Sequence, residues 1–297
     1  MSDKPKTPDQ ADKSSPAQPD TSRRTFLKVT GASVIGATAV PAVIAGASGH
    51  HGPEEGKKQW AMVVDIQRCL REGDCTKCFD ACHRVHNVPD ISKRVPPEML
   101  PKREIKWIWK EHYEGAFPEQ QHEYIRQHLR GKRVPVLCNH CAEPPCVRVC
   151  PTQATWKRES DGIVMMDMHR CIGCRYCVVG CPYGSRSFNW MAPWPRIEHP
   201  DGSVTFDPKV GEPPNMKYPT RMKGVVEKCN FCSERLAESE RTGGPFVPAC
   251  VEACTAGALI FGDVGDPHSR VRKLLEARHT IRRKPGLGTR PQVYYIV

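Results

Sequence analysis

The chain has 297 residues, of which 39% are hydrophobic and 16 are cysteine, with 28 prolines and 23 glycines. That length suits one large domain or two small ones, but the low apolar content means that metals or disulfides help hold the fold. The net charge of +11 is scattered, with no basic block beyond Arg282, Arg283 and Lys284 and no zinc-finger, helix-turn-helix or RNP pattern, which excludes a nucleic-acid-binding class and leaves a surface for partner proteins or anionic headgroups.

Residues 1–21 are polar and read as disordered. Ser22-Arg23-Arg24-Thr25-Phe26-Leu27-Lys28 follows, then a weakly apolar stretch from Val29 to Ala45 and the small-residue end Ala45-Gly46-Ala47. Basic, apolar and small residues in that order mark an export signal, and the paired arginines before Phe-Leu-Lys mark the twin-arginine route. Residues 1–47 are therefore expected to be a signal peptide. They hold six of the 44 basic and four of the 33 acidic residues, which leaves the remainder at +9. No other stretch reaches the roughly 18 apolar residues that span a bilayer. The expectation is a periplasmic protein, soluble or attached to the membrane through partners.

From residue 60 the chain alternates short β-rich segments with cysteine loops. Ala61–Ile66 leads into Cys69, Cys75, Cys78 and Cys82. Pro135–Leu137 leads into Cys138, Cys141, Cys146 and Cys150, and Ala154–Trp156 follows. Gly162–Asp167 leads into Cys171, Cys174, Cys177 and Cys181. Gly224–Val226 leads into Cys229, Cys232, Cys250 and Cys254, and Ala258–Phe261 follows. Helices are predicted around Pro118–Leu129 and over Ser269–Arg278, with Val293–Val297 as a last strand or packing arm. No cysteine lies outside these four sets.

The third set is the bacterial-ferredoxin run C-x2-C-x2-C-x3-C-P. Three closely spaced thiolates wrap one cubane, the fourth reaches the neighbouring cluster, and Pro182 turns the chain away. The second set ends the same way at Cys150-Pro151. The first opens with a wider gap, and the fourth splits its two pairs. Disulfides and zinc are the alternatives, but neither calls for four ferredoxin-like quartets. No C-x-x-C-H occurs for a c-type haem. His140 is read as a packing or hydrogen-bonding residue rather than a ligand. No nucleotide or hydrolase signature is present, so no catalytic site is expected and four [4Fe–4S] clusters carry the chemistry.

The crossing of each fourth cysteine pairs the sets. One cluster is expected on Cys138, Cys141, Cys146 and Cys181, and its neighbour on Cys171, Cys174, Cys177 and Cys150. A third falls on Cys69, Cys75, Cys78 and Cys254, and a fourth on Cys229, Cys232, Cys250 and Cys82. The fold class is α+β: two bacterial-ferredoxin-like modules, a double [4Fe–4S] ferredoxin with loop insertions. Residues 60–86 and 223–297 form the outer module and 133–184 the inner one. Insertions 87–132 and 185–222, the latter with Trp190 and Trp194, are surface loops or docking elements.

The strings CNHCAEPPCVRVCP and CIGCRYCVVGCPYG resemble the four-cluster electron-transfer subunits of the dimethylsulfoxide-reductase type. Lys106–Glu111, KGVVEKCNFC and the Pro291–Val297 end are most similar to the DsrO family of exported ferredoxins in DsrMKJOP transmembrane complexes of dissimilatory sulfur metabolism. The resemblance implies a quinone-interacting NrfD-type membrane partner (DsrP), a multihaem cytochrome c (DsrJ), and DsrM and DsrK in the same complex. It also implies electron relay as the function. A relay subunit of a periplasmic molybdopterin oxidoreductase, of polysulfide or tetrathionate type, is the alternative.

Overall fold

The computed structural model describes residues 56–297 except 93–94, 121–123, 125–126, 192–195, 199, 203, 207–214, 216 and 219–220. The expected signal peptide and Trp194 lie outside the described residues.

The strand Trp60–Asp65 (β1) organises the largest sheet. Its apolar run suits a strand with both faces covered. Met62 and Val64 face the main core, whereas Ala61 and Val63 face a smaller one with Ile260, Val264, Val271 and Ile296. The helix Arg270–Ala277 closes that second core, its first turn capped by Ser269. Among the described residues, eleven further strands follow β1 in chain order: β2 Ile108–His112, β3 Arg133–Leu137, β4 Thr155–Lys157, β5 Val164–Met166, β6 Ser187–Phe188, β7 Arg196–Glu198, β8 Val204–Phe206, β9 Val226–Glu227, β10 Leu259–Asp263, β11 Thr280–Ile281 and β12 Val293–Ile296.

β1 pairs antiparallel with β10, Trp60 opposite Asp263 and Val64 opposite Leu259. On its other side it pairs parallel with β12, Met62 opposite Val293. The strand leading into the first cysteine set thus lies beside the strand leaving the fourth. β4 and β5, which lie between the second and third sets, pair antiparallel.

Strand pairing also ties the insertions to the cysteine segments. β3 pairs with β2 from within residues 87–132, and β6 pairs with β9, just before the fourth set. The first insertion is no mere cover. Trp107, Ile108, Trp109, Tyr113 and Phe117 are buried in the main core. In place of the helix expected over Pro118–Leu129, the described residues form 3-10 turns at Pro118–Gln120 and Gln127–Leu129. Phe117 and Leu129 are buried while Pro118 and Glu119 are exposed. Short turns aim those two apolar groups inward. Among the described residues no helix is long and apolar enough to cross a membrane.

Candidate metal centres

Local backbone first sets each cysteine loop. Asp65 ends β1 and caps the helix Ile66–Arg71, its carboxylate accepting from Arg68 N at 3.0 Å; that helix carries Cys69. Cys78 and Cys82 lie four residues apart on the helix Lys77–Val85, hence on one face. The second, third and fourth sets share a turn: the third residue of each leading C-x-x-C takes a left-handed backbone. These are His140 (φ 41°), Gly173 (φ 70°) and Phe231 (φ 54°). For a residue with a Cβ this conformation costs about 1–3 kcal/mol, offset here by the packing of two buried rings. His140 and Phe231 stack at 3.6 Å, and His140 Nδ1 accepts from Val164 N at 3.1 Å. Burial keeps the imidazole neutral. His140 thus packs and hydrogen-bonds.

Three of the four expected ligand sets come together. Cys138, Cys141, Cys146 and Cys181 line one cavity. Cys69, Cys75, Cys78 and Cys254 line another. The thiols that act most on Cys82 are those of Cys250, Cys229 and Cys232. The remaining set is looser. Cys171 packs beside Cys177 and acts on its thiol, but Cys174 is exposed and Cys150 is held instead by its own turn. Burial pushes the Cys150 thiol up, yet the N–H groups of Thr155, Thr152 and Ala154 and the Thr152 hydroxyl outweigh it and leave it below the ordinary value.

The sulfurs accept hydrogen bonds from the backbone around them. Cys171 Sγ accepts from Gly173 N and Val226 N, both at 3.4 Å. Cys232 Sγ accepts from Ala249 N at 3.4 Å and Cys254 Sγ from Ala258 N at 3.3 Å. Such bonds favour thiolate over thiol. Burial works against them, pushing Cys78 and Cys141 up to about 12 and Cys232 to about 11. A cysteine must lose its proton to bind a metal, so ligation at these buried positions would be coupled to proton release. No disulfide joins any of the sixteen cysteines. A single zinc would draw four sulfurs to about 2.3 Å from one point, whereas among the described residues no three His, Cys, Asp or Glu side chains converge so. Four cysteines gathered at one cavity, as the first two of these sets are, fit a cubane cluster.

The sets also neighbour one another. Cys78 acts on Cys82 and Cys250, Cys138 on Cys229, and Cys146 on Cys177. Two cations that the sequence pattern does not flag lie between sets. Arg186 is 4% exposed and donates to Cys146 Sγ at 3.1 Å. Lys228, 2% exposed, donates to Cys229 O at 2.8 Å and to Val164 O. Their only signal in the sequence is position: Arg186 stands shortly after Cys181-Pro182, and Lys228 directly before Cys229.

Comparison with known proteins adds the family. Residues 130–193 match the 4Fe-4S dicluster domain. The chain is 39% identical to the Hdr-like menaquinol oxidoreductase iron-sulfur subunit 1 of Archaeoglobus fulgidus, over 92% of this chain and 97% of that one. It is 35% identical to a tetrathionate reductase subunit of Salmonella typhimurium, over 93% and 88%. It is 34% identical to the arsenate respiratory reductase iron-sulfur subunit ArrB of a Shewanella species, over 79% and 94%.

The chain belongs to the dimethylsulfoxide-reductase type of iron–sulfur subunits. As a member of that family it is an electron-transfer subunit whose cofactors are [4Fe–4S] clusters, and its sixteen cysteines are consistent with four of them. When bound, the clusters supply one-electron transfer.

Proposed function

We propose that this chain is the electron-relay subunit of a membrane-associated, quinone-linked complex of sulfur metabolism, of the DsrO type, and that its four crossed quartets hold the clusters. The observation that carries the relay is that crossing. Cys181 of the third set joins Cys138, Cys141 and Cys146 around one cavity, and Cys254 of the fourth joins Cys69, Cys75 and Cys78 around another. Cys82 of the first set faces Cys229, Cys232 and Cys250, and the remaining set would be Cys171, Cys174, Cys177 and Cys150. Two ferredoxin-like modules, residues 60–86 with 223–297 and residues 133–184, account for that exchange. The neighbouring sets would then form one row, with the first set's cavity at one end and the third set's loop at the other.

Nearly full-length similarity to a subunit named for a menaquinol oxidoreductase supports the quinone link. On this reading the partners are an NrfD-type membrane subunit (DsrP), a multihaem cytochrome c (DsrJ), DsrM and DsrK, and residues 1–47 send the chain to the periplasm by the twin-arginine route. The similarity to a tetrathionate reductase subunit supports the second reading, a relay subunit of a molybdopterin oxidoreductase. Purification of the tagged chain from its own membranes separates the two. Co-purifying haem c and an NrfD-type subunit support the first; a molybdenum cofactor without haem c overturns it.

A further inference from the structure

Arg186 is a cation buried among sulfurs. Its side chain sits at 4% exposure beside the cavity of Cys138, Cys141, Cys146 and Cys181. Nη2 donates to Cys146 Sγ at 3.1 Å and to Thr155 Oγ1 at 2.7 Å, and Nη1 reaches Met166 Sδ at 3.5 Å. The groups that face its charge include the thiols of Cys146, Cys177 and Cys138, with the buried Lys228 and His140 also near it. Nε is a further buried donor with no partner among the described residues. A guanidinium keeps its charge at any accessible pH, and burying one without a counter-charge is costly.

Cys146 and Cys177 belong to different ligand sets, so Arg186 stands in the gap between two of them. We propose that Arg186 sets the reduction potentials of the two inner clusters, raising both above the values the cysteine loops alone would give. The inference rests on the ligand sets proposed above. Reduction adds one negative charge to a cluster already surrounded by thiolates. A fixed positive charge in a low-dielectric gap stabilises the reduced form more than the oxidised one, and hydrogen bonds to the ligand sulfurs act in the same direction. Thr155, itself 1% exposed, holds the guanidinium in place. Arg186 is a positioning and tuning residue, not a catalytic one.

Redox-poised EPR of the anaerobically purified full chain tests this with Arg186→Gln. The expected result is at least a tenfold shift of the reduction equilibrium toward the oxidised form at two of the midpoints, which is about 59 mV for one electron, with the other midpoints unmoved. Unmoved midpoints at unchanged iron content, or equal movement of all of them, overturn the proposal. Should Arg186→Gln lose iron, Arg186→Met carries the test: it removes the charge at similar side-chain length, so at full iron content the same two midpoints fall, and unmoved midpoints overturn the proposal. Cys146→Ser and Cys181→Ser check the ligand sets separately. If they remove different EPR signals, the ligand reading fails whatever the midpoints do.

Discussion

Gly173 offers a sharp test of how the third cysteine loop is built. Its backbone is left-handed, and a Cβ there would stand 2.2 Å from Gly224 O and 3.1 Å from Phe188 Cε2. Ordinary contact begins at 3.4 Å, so the two chain segments would have to part by about 1.2 Å. They are not free to do so: Gly224 N donates to Asn189 O at 2.7 Å, and Val226 N to Cys171 Sγ at 3.4 Å. The left-handed conformation costs a residue with a Cβ about 1–2 kcal/mol, and forced overpacking adds about 1–3 kcal/mol. Gly184 provides the control, with φ +65° and nothing within 4 Å. Gly184→Ala should therefore show only the conformational cost. The assay is iron content of anaerobically purified protein together with the rate of visible-absorbance loss on warming. Gly173→Ala should lose about four irons, one cubane, or bleach far faster than Gly184→Ala, which should keep full iron. Equal behaviour of the two variants would refute the reasoning.

Cys181→Ser should remove the same EPR signal as Cys141→Ser and leave the signal that Cys171→Ser removes. Glu227 is a buried carboxylate paired with Arg221 and accepting from Trp107 Nε1 at 2.7 Å and from Asn189 Nδ2. Glu227→Gln leaves Arg221 uncompensated and should cost about 3–5 kcal/mol, read as a lowered denaturant midpoint for cluster bleaching; a midpoint equal to wild type contradicts it. Arg23→Lys together with Arg24→Lys should leave the chain in the cytoplasmic fraction, measured by immunoblot of periplasm and cytoplasm.

The cysteine pattern makes much of the site legible because cluster ligation fixes residue type and spacing together. The segments leading into and out of the loops are visible for a related reason: Ala61–Ile66 and Ala258–Phe261 are apolar runs beside those loops and appear as β1 and β10, while the apolar end Val293–Val297 appears as β12. The helix over Ser269–Arg278 appears as Arg270–Ala277, capped by Ser269. What pairs with what is less legible. Nothing in Ile108–His112 announces that it will pair with Arg133–Leu137, because pairing across an insertion depends on a core built from both. Arg186 and Lys228 escape a reading of the sequence because a basic residue reads as a surface residue until burial is known. Spacing alone groups Cys150 and Cys174 with the other cysteines, yet their positions are the least gathered, one held by its own turn and one exposed.

Iron and acid-labile sulfide analysis with EPR on the anaerobically purified chain shows whether it holds four cubanes. Four [4Fe–4S] clusters require about sixteen irons and about sixteen sulfides per chain. That result, with reducible cubane signals, is the one predicted. About twelve irons or fewer in intact protein, or zinc in place of iron, would contradict it.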